Sequence, residues 1–154
     1  MIKNLVSPSQ IFLWFRVYAD NQDCLAKAAG IISLTVASNQ PFYPLYLHAI
    51  IGTAAWPAWW TLLSTPFFIA VPGLARRNSF LGRALLPLAG IANTVLCVKL
   101  FGRETAVEIF LIPCLLLSVF LFRSNERIAT LLLTALSIAS YVRSEEHTSE
   151  LQSH

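Results

Sequence analysis

The chain has 154 residues, of which 56% are hydrophobic and 12% charged, with a formal net charge of +3. A water-soluble domain carries roughly 25% charged residues, so this composition excludes an ordinary hydrated surface and points to lipid. Three widely spaced cysteines, Cys24, Cys97 and Cys114, fit neither a disulfide framework nor a zinc cluster.

Residues 1–24 read as an amino-terminal cytoplasmic or interfacial segment with no visible signal-peptide cleavage site. Within it, Ser9 to Ala19 has the make-up of an interfacial helix, Trp14, Phe15 and Tyr18 meeting the headgroups and Arg16 facing anionic lipid. A transmembrane helix needs about 20 apolar residues, and residues 25–142 divide on that basis into spans at about 25–40, 45–74, 84–101, 105–122 and 128–142. The predicted fold is therefore all-α, a polytopic membrane helical bundle of four to five transmembrane helices with short loops. The first span is the weakest, because Lys27 lies near its start and Asn39-Gln40-Pro41 ends it early. The uncharged stretch Asn39 to Tyr46 is expected to be an outer loop.

Charge sets the expected orientation. With the amino terminus inside, Lys3, Arg16, Lys27, Arg76, Arg77, Arg83, Arg123 and Arg127 collect on one face and only Lys99 and Arg103 lie opposite. That is a strong positive-inside bias, and Arg76, Arg77, Arg83, Arg123 and Arg127 are its determinants in the inner loops. The expected location is a cell membrane, specifically a bacterial inner membrane, with the lipid bilayer as partner and no nucleic-acid groove.

Several residues are candidates for a ligand or ion. Glu104 and Glu108 lie one helical turn apart at the start of a span, after Lys99 and Arg103. Glu104 is accounted for by the helix dipole, whereas Glu108, a turn deeper, is costly in lipid. It either pairs with Lys99 or Arg103 to pin the hairpin or handles a proton or cation. His48 beside Tyr43 and Tyr46 has a hydrogen-bonded packing role, with pH sensing or axial ligation as the alternative. Trp56, Trp59 and Trp60 share a face of the second span, with Pro57, Pro66 and Pro72 along it. Either this helix is broken at Pro57 and Pro66, as at transporter sites, or the aromatics pack against neighbouring spans. Asn93 with Thr94 can hydrogen-bond across helices or touch a ligand. The small-residue faces Ala26/Gly30/Ser33/Ala37 and Thr130/Thr134/Ser137 suit close helix contact, including a homodimer. No nucleophile, second histidine or metal set accompanies the acids, so no catalytic residue, metal or cofactor is expected.

Residues 143–154, Arg-Ser-Glu-Glu-His-Thr-Ser-Glu-Leu-Gln-Ser-His, change character abruptly. They resemble the in-frame translation of a sequencing adapter, which marks them as a non-native tail and places the end of native sequence near Val142. The stretch Lys99 to Cys114, with Leu121-Phe122-Arg123 and Glu126-Arg127, resembles the multi-span amino-terminal regions of bacterial sensor kinases and nucleotide cyclases. The resemblance implies a sensory or anchoring module whose output domain follows at the carboxyl end, non-enzymatic by itself. The alternatives are a small transporter or ion-coupled carrier using Glu108, Asn93 and the proline-broken span, and a membrane-embedded enzyme acting on lipid or quinone through Glu104 and Glu108.

Overall fold

The computed structural model describes residues 8–101 and 107–152, with the side chains of Pro8, Ile51, Ala54, Glu108 and 144–152 outside the description. The described residues are helical almost throughout and contain no strand. The elements are α1 (Pro8–Tyr18), α2 (Cys24–Asn39), α3 (Phe42–Ile51), a 3-10 stretch (Gly52–Ser64), α4 (Thr65–Arg77), α5 (Ser79–Phe101), α6 (Leu111–Phe120) and α7 (Arg127–Gln152). Short 3-10 turns, Val107–Phe110 and Ser124–Glu126, precede α6 and α7.

Helix α2 starts where Asp23, in extended conformation, accepts the Leu25 amide on its side chain, satisfying one of the free amides of the first turn. At Gln40 and Pro41 the chain keeps helical torsions and runs on into α3. The stretch from Asn39 to Tyr46, expected as a loop, is thus a helix junction at Gln40 and Pro41. The reversal falls at Gly52 instead, whose φ of 63° and ψ of −139° belong to a region open to glycine alone. The expected second span, 45–74, is divided by that reversal: its first residues belong to α3, which packs back against the 3-10 stretch.

The 3-10 stretch, which lies within the expected second span, has a three-residue spacing of its own. Ala55, Ala58, Thr61 and Ser64, at intervals of three, are all buried, because residues i and i+3 eclipse one another in a 3-10 helix. Pro57 sits within it and Pro66 in the first turn of α4, where the missing amide costs nothing. Ala55–Arg77 and Ser79–Phe101 are the two helices long and apolar enough to cross a membrane among the described residues.

Only Asn78 separates α4 from α5. Its backbone is extended, its side-chain Oδ1 accepts the Leu81 amide at 3.1 Å, and its carbonyl accepts the Gly82 amide at 3.0 Å. The expected inner loop at 75–83 is therefore a one-residue break, and α5 begins five residues earlier than its expected start at 84. The antiparallel pair is very close at this end: a Cβ on Gly82 would stand 2.4 Å from the Ala75 Cβ and 2.5 Å from the Ala75 Cα. The same register places Ser64 on Asn93 further along. Helices α5 and α6 are also antiparallel, with Arg83 reaching the Leu121 carbonyl and Gly90 lying against Cys114. The regular α-helix of the fourth segment covers only Leu111–Phe120 of the expected 105–122, and α7 extends past the expected 142 to Gln152.

The core runs between these helices: Ala29 and Ala37 of α2, Phe68 and Val71 of α4, Leu86 and Ala89 of α5, with Leu121, Phe122 and Leu133. The small-residue face of α2 is spent here, since Ala26, Gly30, Ser33 and Ala37 are all buried within the chain. On α7, Ser137 is 1% exposed and Thr134 Oγ1 is buried without a hydrogen-bond partner. The α2 stripe therefore packs the chain's own helices, whereas on α7 Ser137 is buried and Thr130 and Thr134 are partly buried. Large apolar side chains on the outside remain uncovered, among them Phe120 at 71% and Ile128 at 77% exposure.

Candidate functional site: a charge network and a polar knot

Arg83 is the most buried charged residue described, 2% exposed in the second turn of α5. Burying a guanidinium is tolerable only when it is paired and its donors are filled. Both conditions are met. Nη1 and Nη2 donate to Glu126 Oε2 and Oε1, each at 2.8 Å, in the two-pronged geometry that a planar guanidinium favours. Nη1 also donates to the Leu121 carbonyl at 2.7 Å and Nε to the Ser79 carbonyl at 3.3 Å, while Asp23 Oδ2 lies 3.6 Å from Nε. The guanidinium carbon stands 5.7 Å from the centre of the Phe122 ring.

Each acid has further donors. Asp23 takes the Ser79 hydroxyl and the Leu25 amide, and Arg123 Nη2 lies 3.2 Å from its Oδ1. Those partners, Ser79 foremost, hold the Asp23 carboxyl below its ordinary range against the opposing effect of burial. Glu126 is lowered in the same way, first by the hydrogen bond from Arg83 and then by the Arg123 amide at 2.9 Å. Two acids and two arginines thus form a balanced network joining the start of α2, the start of α5 and the turn before α7. Beside it, Asn21 Nδ2 donates to the Ala75 carbonyl at 2.9 Å. Arg76 Nη2 donates to the Val17 and Tyr18 carbonyls at 3.1 and 3.0 Å, closing the end of α1.

The second polar group lies part-way along the hairpins. Gln40 Nε2 donates to Ser64 Oγ, Thr65 Oγ1 donates to Gln40 Oε1 at 2.6 Å, and Ser64 Oγ lies 2.7 Å from its acceptor Asn93 Oδ1. This knot ties the end of α2 to α4 and α5. An apolar cavity of about 300 Å³ adjoins it, bounded by Leu63, Phe67, Leu88 and Leu96 with Ser64 and Asn93 at its edge.

Of the sequence candidates, the structure brings Asn93 into a polar cluster, bonded to Ser64 and through it to Gln40 and Thr65. Glu104 lies outside the described residues, as does the Glu108 side chain, so their pairing with Lys99 or Arg103 does too. His48 is exposed on α3. Trp56, Trp59 and Trp60 are 68%, 37% and 57% exposed, off the buried alanine face, with Trp59 the most covered of the three. Arg76, Arg77, Arg123 and Arg127 lie at the end of the molecule where Arg83 is the buried centre of the network. Sequence reasoning overlooked Asp23 and Glu126. The signal was available in acids next to the basic clusters of an otherwise acid-poor chain.

Among the described residues no group of three potential metal ligands is present. Every acid of the network is already held by cations and hydroxyls, so the arrangement fastens helices together and has no free base. No family model, curated protein or solved structure matches the chain.

Proposed function

We propose that the chain is a multi-pass membrane module of sensory or anchoring type, lying in a bacterial inner membrane with its basic end towards the cytoplasm. The observation that carries this reading is the segregation of its surface. Exposed apolar side chains run along α3, the 3-10 stretch, α6 and α7, while Arg16, Lys27, Arg76, Arg77, Arg123 and Arg127 gather at one end. A bilayer removes the cost of the first group and anionic lipid favours the second. In this reading α2–α3, the 3-10 stretch with α4, α5, α6 and α7 are five antiparallel passes, the first turning at Gly52. Reporter fusions at Gly52 and at Asn78 test it: a periplasmic signal at Gly52 and a cytoplasmic one at Asn78 are expected. The same compartment for both defeats it.

The sensory part rests on the Arg83 network, which joins three separate segments of the chain at the basic end. Fusing residues 1–142 ahead of a reporter cyclase domain separates sensor from anchor. A sensor gives an altered output with Arg83→Gln and an unaltered one with Arg77→Gln, whereas an anchor gives equal output in all three.

A carrier is the second reading, favoured by the knot at Gln40, Ser64, Thr65 and Asn93 beside an apolar cavity. Hydrogen-bonding groups at that depth are the kind of feature that marks transport sites. Proton-flux and uptake measurements in proteoliposomes test it through Asn93→Leu and Glu108→Gln, and flux unchanged in both removes it.

A further inference from the structure

The turn between α6 and α7 holds a second cavity of about 300 Å³ at the basic end, sharing Arg123 with the balanced network. Its polar side is Arg123, Ser124, Arg127 and Thr130, and its apolar walls include Val119 on α6 and Leu131 on α7. We infer that this cavity binds one anionic phospholipid, the phosphate held by Arg127 and Arg123 and an acyl chain lying along Val119 and Leu131. The inference rests on the membrane reading above.

Charge decides the class of ligand. Asp23 and Glu126 are the acids near this cavity, and both are already engaged, Glu126 by the fork of Arg83 and Asp23 by Ser79, Arg83 and Arg123. Arg127 has no acidic partner among the described residues. Its Nε donates to the Ser124 carbonyl at 3.0 Å, which fixes the plane of the guanidinium and leaves its two terminal nitrogens to donate. Arg123 is bound to Asp23 through Nη2, yet its side chain is 57% exposed. The site therefore has unspent positive charge and directed donors, the requirements for a phosphodiester.

The walls select a lipid over a free anion. Val119 and Leu131 are 47% and 68% exposed, and α6 and α7 carry this apolar surface away from the arginines towards the middle of the bundle. Basic pockets between helices at the cytoplasmic surface suit acidic headgroups for this reason.

Native mass spectrometry of the full chain in neutral detergent, given equal amounts of phosphatidylglycerol and phosphatidylcholine, tests the inference. One phosphatidylglycerol per chain is expected to be retained in preference. Arg127→Gln should weaken retention about fivefold, the value of one basic side chain near an anionic surface, Arg127→Lys should restore most of it, and Arg77→Gln should leave it unchanged. Equal retention of both lipids, an equal loss with Arg77→Gln, or displacement by inorganic phosphate alone would overturn the site. A chain that fractionates with the aqueous phase without detergent overturns the membrane reading itself. A detergent-requiring chain with no lipid preference overturns only this inference.

Discussion

The two ends of the molecule hold their helices together by different means. At the basic end, Arg83, Asp23, Glu126 and Arg123 form a network in which each charge has a fixed partner, and α4 meets α5 at backbone distance through Gly82. At the other end, α3 and the 3-10 stretch turn at Gly52 and present Trp56, Trp60, Phe42 and Tyr46 outward, all more than half exposed. The first region is specified by its own side chains, so it should respond sharply to single changes. The second depends on small residues inside and, in the proposed membrane setting, on lipid outside, so its aromatics should be nearly neutral to the bundle's own stability.

The largest effect is expected from Arg83→Ala. Removing one partner of a buried ion pair leaves the other uncompensated, at a cost of about 3–5 kcal/mol, and Glu126 and Asp23 both face the vacated site. Thermal unfolding in detergent should show a large drop in Tm, and a drop no greater than that of Arg77→Ala would mean that the network contributes little. Acid adds an independent check. The carboxyls of Asp23 and Glu126 lie below their ordinary values in the folded chain, so their contribution is complete above the ordinary carboxylate range of about 4. It is lost as pH falls through that range to the lowered folded values. The native chain should lose Tm steeply below about pH 4, and Arg83→Ala should flatten the Glu126 part of that loss while the part Asp23 owes to Ser79 persists.

Next comes Gly82→Ala. The added methyl would meet the Cβ and Cα of Ala75 at 2.4 and 2.5 Å, and a backbone atom cannot rotate out of the way as a side-chain tip can. Helices α4 and α5 must separate, and overpacking of this kind costs about 1–3 kcal/mol. Separation at Gly82 also carries Arg83 away from Glu126, so Gly82→Ala and Arg83→Ala should combine less than additively. Strict additivity in a double-mutant cycle would show the close approach and the network to be independent devices.

These two features differ in how visible they are in the sequence. All-helical character and the gathering of arginines follow from composition and from short polar clusters between apolar runs. Arg83 was misplaced because it sits among Arg76, Arg77 and Asn78, where charge suggests a loop, and its partners Asp23 and Glu126 are dozens of residues away. Nothing local announces a pairing over that separation. The end of α2 at Asn39 agrees with the expected end near 40, but that the chain keeps helical torsions through Gln40 and Pro41 and resumes as α3 could not be read from Asn39-Gln40-Pro41. Conversely, Gly52 was passed over within an apolar run, although glycine is the residue that permits a reversal there. The three-residue spacing of Ala55, Ala58, Thr61 and Ser64 was legible, but a search for helical periodicity near 3.6 does not detect it.

At the other end the expected effects are smaller. Gly52→Ala places a side chain in a glycine-only conformation, although no atom lies within 4 Å of the added Cβ. The cost is therefore purely of backbone origin, about 1–2 kcal/mol, and should be the same in any detergent.

Trp56→Ala carries the smallest effect and separates the two ends most cleanly. Trp56 is 68% exposed, so in micelles its loss should alter Tm by no more than about 0.5 kcal/mol of stability, as for other surface substitutions. Its neighbour Ala58, fully buried in the three-residue stripe, should not tolerate Ala58→Leu, because the extra methylenes would drive the 3-10 stretch off α5. If Trp56→Ala were the more damaging of the pair, the aromatic face would be part of the bundle's packing and the inside-small, outside-large arrangement would be reversed. Fluorescence gives the complementary reading. Quenching by lipids brominated along their acyl chains should be strong for Trp56 and Trp60 and weaker for the less exposed Trp59, because each ring's access to lipid follows the face of the 3-10 helix on which it lies.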